Sequence, residues 1–283
     1  MATKTSLLGL TKPAYTDAAD IAVLNGNFDL IDKAVGQGAR VGNLLDNSYF
    51  PSAYVINQRG KTQYTGNVYT IDRWRTYSST AVINIGAAGI NPQASALLQY
   101  LDIDPGRTYT AAICYADGTV SVQTGTFTTG FGSTSSGINC SVSNGYCRFL
   151  IRESAAYIRW AALYEGAYTA DTLPAYVYKG YAAELAECQR YFQKGGQVVT
   201  VGTQYSPATK GIIRLRFCGM RSMPNITITG ISSQGWGNIA LEHLSKEWTS
   251  QVGTDCFQNY MIEGDSSFVG QTIGVEYEAS ADL

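Results

Sequence analysis

Apolar residues at Ile21, Leu24, Phe28, Ile31 and Val35 recur at spacings of three, four, three and four, the stripe of an amphipathic helix and the a/d seam of a coiled coil. Thr16-Asp17-Ala18-Ala19-Asp20 offers an N-cap with acidic residues in the first turn, and Gly36 after Val35 closes the segment. The seam lasts about two heptads, which leaves a helix docked on its own chain and a parallel bundle as open alternatives. From residue 43 to about 179 the period falls to two, as in Tyr69-Thr70-Ile71-Asp72-Arg73-Trp74, in residues 107–113, in residues 119–124 and in Tyr157-Ile158-Arg159-Trp160. Turns of Gly, Asn, Asp and Ser separate these runs and no helix interrupts them, so they predict an antiparallel sandwich with Trp74 and Trp160 in its core. A helix follows over 181–194, with Tyr181, Leu185, Cys188 and Phe192 on one stripe, Glu184 and Glu187 early, Arg190 and Lys194 late, and Gly195-Gly196 as its stop. Strand patterns return at 197–201, 211–217, 225–229 and 273–278. The chain thus divides into a helical segment (1–42), a sandwich (43–180), a linker helix (181–195) and a small C-terminal β-sandwich (196–283), a mainly β fold.

Composition narrows the function. The 283 residues are 45% hydrophobic and 15% charged, enough for two cores. A net charge of -2 offers no basic footprint, which argues against a nucleic-acid partner. No run approaches the roughly 18 apolar residues of a membrane span, so membrane insertion is not expected and the chain reads as cytosolic when made. Asn144-Gly145 predicts a type I′ hairpin in which Cys140 faces Phe149 and Cys147 faces Val142, a register that disfavours a disulfide. The single histidine, His243, stands near no nucleophile motif. Asp102 and Asp104 in Asp104-Pro105-Gly106 form a turn first, with a structural calcium ion as an alternative; no cofactor is called for. Asp72, Glu153, Glu165 and Glu242 are the carboxylates a glycosidase could use, but the sequence gives no separation between them. Twenty tyrosines and four tryptophans supply flat amphipathic faces suited to sugars, and equally to cores and subunit interfaces. Trp236 in a Gly-rich loop, with Tyr205 and Trp248 in polar surroundings, forms the expected carbohydrate-binding group.

Three stretches resemble known proteins. Leu10-Thr11-Lys12-Pro13 and Ala19-Asp20-Ile21 through Ile31-Asp32 resemble the N-termini of tail-fibre and other phage tail proteins, where this segment attaches to the virion. Asn43-Leu44-Leu45-Asp46-Asn47-Ser48-Tyr49-Phe50, Ile71-Asp72-Arg73-Trp74, Pro105-Gly106-Arg107-Thr108-Tyr109-Thr110 and Ala162-Leu163-Tyr164-Glu165-Gly166 resemble a jelly-roll carbohydrate-binding module. Cys188-Gln189-Arg190-Tyr191-Phe192 and Met220-Arg221-Ser222-Met223-Pro224 resemble a motif of tailed-phage and prophage tail proteins. The resemblance implies a non-enzymatic virion tail protein, a homotrimer seamed through Ile21, Leu24, Phe28, Ile31 and Val35, with other tail proteins and host surface polysaccharide as partners. Two further readings stay open: an architectural collar, baseplate or head-fibre component, and a glycan depolymerase.

Overall fold

The computed structural model describes residues 3–4, 10–14, 20–39, 42–77, 82–93, 96–153, 155–200, 202–203, 211–216, 219–222, 224–233, 237–238, 244–245, 258–262 and 272–282. A two-stranded ribbon, β1 (Thr3–Lys4) and β2 (Thr11–Lys12), precedes α1 (Ile21–Ala39). Asn27 on α1 accepts from Thr11 N and donates to Thr11 O, both at 2.8 Å, and so fastens the ribbon to the helix. Asp20 caps α1: its Oδ1 accepts from Ala22 N at 2.8 Å. Of the expected N-cap stretch Thr16 to Asp20, Asp20 supplies this cap, and Thr16 to Ala19 lie outside the described residues. The helix runs through Gly36 to Ala39 where a stop at Gly36 was expected. A glycine costs a helix about 1 kcal/mol relative to alanine but does not forbid helical dihedrals. The seam residues Ile21, Leu24, Phe28 and Ile31 face solvent, Ile21 being 74% exposed; the side chain of Val35 is outside the described ones.

The strands that follow are β3 (Gln63–Thr65), β4 (Arg75–Thr76), β5 (Val82–Gly86), β6 (Gly89–Gln93), β7 (Ala96–Leu101), β8 (Thr108–Tyr115), β9 (Val120–Thr126), β10 (Phe131–Gly132), β11 (Gly137–Ser143), β12 (Tyr146–Arg152) and β13 (Ile158–Glu165). They form two antiparallel sheets, ordered β10-β11-β12-β7-β4 and β3-β5-β6-β13-β8-β9. Inward residues of both sheets share one core: Leu97, Phe149 and Ile151 from the first, Ile83, Ile113 and Leu163 from the second. This is a sandwich, each strand alternating between the shared core and the outer face. Trp74 sits at the centre, fully buried, edge-on to Phe50 at 5.3 Å and to Phe149 at 6.1 Å. Its indole N–H donates to Asp46 O and Asn47 O, which removes the cost of burying that donor.

Two expectations need correction. Residues 69–74 form a turn and no strand, because Thr70 N donates to Trp74 O and Arg73 adopts φ 73°. Trp160 is half-buried outside the core, because a register shift between Ile158 and Trp160 turns its ring to the outer face. The β11–β12 hairpin has the expected register, Cys140 opposite Phe149 and Val142 opposite Cys147, and both cysteines are free.

Next come α2 (Tyr181–Gln189), β14 (Phe192–Thr200), β15 (Gly202–Thr203), β16 (Gly211–Leu215), β17 (Asn225–Ser233), β18 (Gly237–Asn238), β19 (Leu244–Ser245), β20 (Gln258–Ile262) and β21 (Thr272–Ser280). Two antiparallel four-stranded sheets result, β14-β21-β17-β18 and β15-β16-β20-β19. Leu215 from the second shares a core with Ile226, Ile231, Val275 and Tyr277 from the first. The helix stops at Gln189, short of the expected Lys194, since Phe192 already pairs with Ser280 as the first residue of β14. Lys194 and Gly195-Gly196 are strand residues.

Each residue of Cys188-Gln189-Arg190-Tyr191-Phe192 has a place in this joint. Cys188 is fully buried, and burial pushes its thiol far above the usual range. Gln189 O accepts from Gln193 Nε2, Arg190 O from Arg221 N and Tyr191 O from Ala281 N. The Tyr191 ring lies 3.4 Å from the Arg73 guanidinium and the Phe192 ring 3.8 Å from that of Arg59. The motif ties the sandwich to the C-terminal sheets, which accounts for its composition without any chemistry.

Candidate functional site

The outer faces of the two sandwich sheets differ. Over the six-stranded sheet runs the chain from Gly166 to Gly180, held by Thr110 Oγ1 donating to Gly166 O at 2.8 Å, Tyr168 N donating to Thr110 Oγ1 at 2.9 Å and Thr124 Oγ1 donating to Tyr168 O. Among the described residues no comparable strap crosses the five-stranded sheet. That open face is built by register. β7 reads Ala-Leu-Leu-Gln-Tyr-Leu, apolar on both sides, so it puts Ala96, Leu98 and Tyr100 outward while Leu97 and Leu101 enter the core. β12 places Arg152 opposite Ala96, Leu150 opposite Leu98 and Arg148 opposite Tyr100. β11 adds Asn139 beside Leu150 and Ser141 beside Arg148. On the other side Arg75 pairs with Leu98, and Tyr77 N donates to Ala96 O, extending β4 by one outward residue. At about 4.8 Å per strand the surface is about 14 Å across.

Its floor, Ala96, Leu98 and Leu150, is a small apolar cluster separate from the main core. The Tyr77 ring, 49% exposed, lies 5.3 Å from the Arg148 guanidinium and 5.6 Å from that of Arg152. Tyr100 packs against the floor and meets the Tyr146 ring edge-on at 6.3 Å. Arg73 Nη2 donates to Tyr100 O at 3.2 Å, while its Nε bonds Asp46 at 2.8 Å, so the tyrosine is braced from the joint beneath. Arg148 Nη2 donates to Ser141 Oγ at 2.9 Å. The Nε atoms of Arg148 and Arg152 are buried and, among the described residues, have no hydrogen-bond partner. No Asp or Glu lies on the five strands of this sheet, in a chain with more acidic than basic residues. Flat rings and cationic donors over an apolar floor are suited to a ligand with hydrophobic faces and many oxygens.

A second ring cluster lies on the six-stranded side. Trp160 stacks on Tyr176 at 4.9 Å, and Tyr176, Tyr54 and Tyr178 surround Tyr49 at 5.2–5.9 Å. Tyr176 OH is within 3.2 Å of Ser48 Oγ, and burial carries its phenol well above the ordinary value. These contacts fix the strap to the sheet.

Of the residues expected to carry function, Trp236, Tyr205 and Trp248 lie outside the described residues, as do His243 and Glu242. The carboxylate candidates that are described have structural partners. Asp72 is buried and accepts from Arg59 Nη1 at 3.0 Å and Gln58 Nε2 at 2.8 Å. Glu165 accepts from Arg107 at 2.6 Å at the end of β13, and Glu153 accepts from Ala155 N at 3.0 Å. Asp104 accepts from Gly106 N through Oδ1 and pairs with Arg107 through Oδ2, the turn expected of Asp-Pro-Gly. Among the described residues no group of three or more His, Cys, Asp or Glu could hold a metal ion. Sequence reasoning missed Arg148 and Arg152, although two arginines four apart in Arg148-Phe149-Leu150-Ile151-Arg152 must share one face of a strand.

No protein-family model, curated protein or solved structure matches this chain.

Proposed function

We propose that this chain is a non-catalytic structural subunit of a phage tail, of the fibre or receptor-binding type, whose sandwich contacts a glycan on the host surface. The observation that carries the reading is the open outer face of the five-stranded sheet, where Tyr77 and Tyr100 flank an apolar floor beside Arg148 and Arg152. Sugar rings present C–H faces to aromatic rings and hydroxyls to fixed donors, and a sheet holds both with little ordering cost. The solvent-facing stripe of α1 supports assembly with further copies, a homotrimer by preference, in which weak single sites gain by repetition. That stripe equally favours a second reading, an architectural collar, baseplate or head-fibre component whose aromatic faces pack on other tail proteins.

The experiment is binding of the purified protein to bacterial cells, with extracted surface polysaccharide as competitor. Saturable binding abolished by the polysaccharide supports receptor contact. A folded, oligomeric protein that binds neither cells nor polysaccharide supports the architectural reading.

A further inference from the structure

Resting on the glycan-binding reading, we propose that the outer face of the five-stranded sheet takes an acidic polysaccharide, with sugar carboxylates received by Arg148 and Arg152. Charge is unevenly distributed on this molecule, and this face complements an acidic ligand. The whole chain carries 20 basic and 22 acidic residues, yet the five strands of this sheet contain arginines and no acid. Arg59, Arg73 and Arg107 have carboxylate partners; among the described residues, Arg148 and Arg152 have none. Their Nε atoms are buried donors without an acceptor. For a guanidinium with no carboxylate partner of its own, a sugar carboxylate is the favoured acceptor, because a guanidinium can offer it two parallel N–H groups. The half-exposed Tyr77 ring, 5.3 and 5.6 Å from the two guanidiniums, supplies apolar surface for the sugar that bears the carboxylate. The neighbouring Glu153 accepts from Ala155 N and hydrogen-bonds Tyr115, so its carboxylate is engaged elsewhere.

The test uses the full chain and four probes: polygalacturonate and alginate as uronate polymers, dextran as a neutral polymer, and double-stranded DNA as a phosphate polyanion. The expected result is binding of at least one uronate polymer about tenfold or more tighter than dextran and DNA. This preference weakens as salt is raised, and Arg148→Gln with Arg152→Gln removes it. Arg152→Gln alone guards against misfolding, since among the described residues its Nε has no hydrogen-bond partner to lose, and thermal melting checks the fold. Equal affinity for dextran and uronates, unaffected by the arginine changes, overturns the acidic specificity but leaves glycan binding standing. DNA bound as tightly as the uronates also overturns it, in favour of a general polyanion surface. Binding of none of the four, while surface polysaccharide from bacterial cells still binds and survives both substitutions, overturns the arginine site; failure of that polysaccharide as well overturns the glycan reading itself.

Discussion

Asn47 does at one position what a short strand would need several residues to do. Its side chain accepts from Ile56 N and donates to Ile56 O and Asp72 O, all at 2.8 Å, while its backbone holds φ 49° and its N–H donates to Glu184 on α2. Asn47→Ala should cost about 3 kcal/mol, since three buried backbone groups lose partners and alanine tolerates that φ poorly; urea unfolding measures it. Asp72, in the same region, gives a pH dependence. Burial outweighs the pull of Gln58 and Arg59 and raises its carboxyl from 3.8 to about 6. The folded chain then keeps this proton to higher pH than the unfolded chain. The resulting stability is complete below about pH 4, declines through the interval and is gone above about pH 6. Asp282, also raised by burial and bonded to Arg59, acts with the same sign. The contribution from Asp72 is up to about 3 kcal/mol, and Asp72→Asn should flatten the urea midpoint between pH 4 and 7.

At the scale of elements, local pattern was a good guide where a segment's neighbours are close in sequence, and a poor one where they are distant. The β11–β12 hairpin could be read from Asn144-Gly145 because its partners are adjacent in sequence. Residues 69–74 alternate like a strand, yet Arg73 is drawn into a left-handed turn by Asp46 and Tyr191, residues that no local pattern connects to it. The end of α2 departs from the local pattern for the same reason, since Ser280 pairs with Phe192 across most of the C-terminal region. Close approach of backbones is equally invisible in the sequence. Gly89 has φ 134°, and a Cβ there would lie 2.0 Å from Ile158 O. Gly89→Ala should therefore destabilise the β5–β6 turn by several kcal/mol, seen as a lower melting temperature or loss of soluble protein. For α1 the test is association: Leu24→Glu with Phe28→Glu, on its exposed stripe, should convert an oligomer to a monomer in sedimentation without changing the β-sheet circular dichroism.

At the scale of the whole molecule, the sandwich and the C-terminal sheets are joined by a small set of close contacts. Arg59 connects Asp72 of the sandwich to Asp282 near the end of β21, and Glu184 on α2 accepts from Asn47 N at 2.7 Å. The mainly β character was legible in the sequence because alternation is local. The face proposed for binding was not, because Tyr77, Ala96 to Tyr100 and Arg148 to Arg152 come together only through strand pairing over some fifty residues. The most direct test of the central claim is a calorimetric titration of host surface polysaccharide into the native chain, Tyr77→Ala and Trp236→Ala. Glycan contact through the sandwich gives binding that Tyr77→Ala weakens by about tenfold, a loss of about 1.4 kcal/mol, and that Trp236→Ala leaves intact. Binding lost with Trp236→Ala and unchanged with Tyr77→Ala would contradict it and move the contact to the C-terminal region.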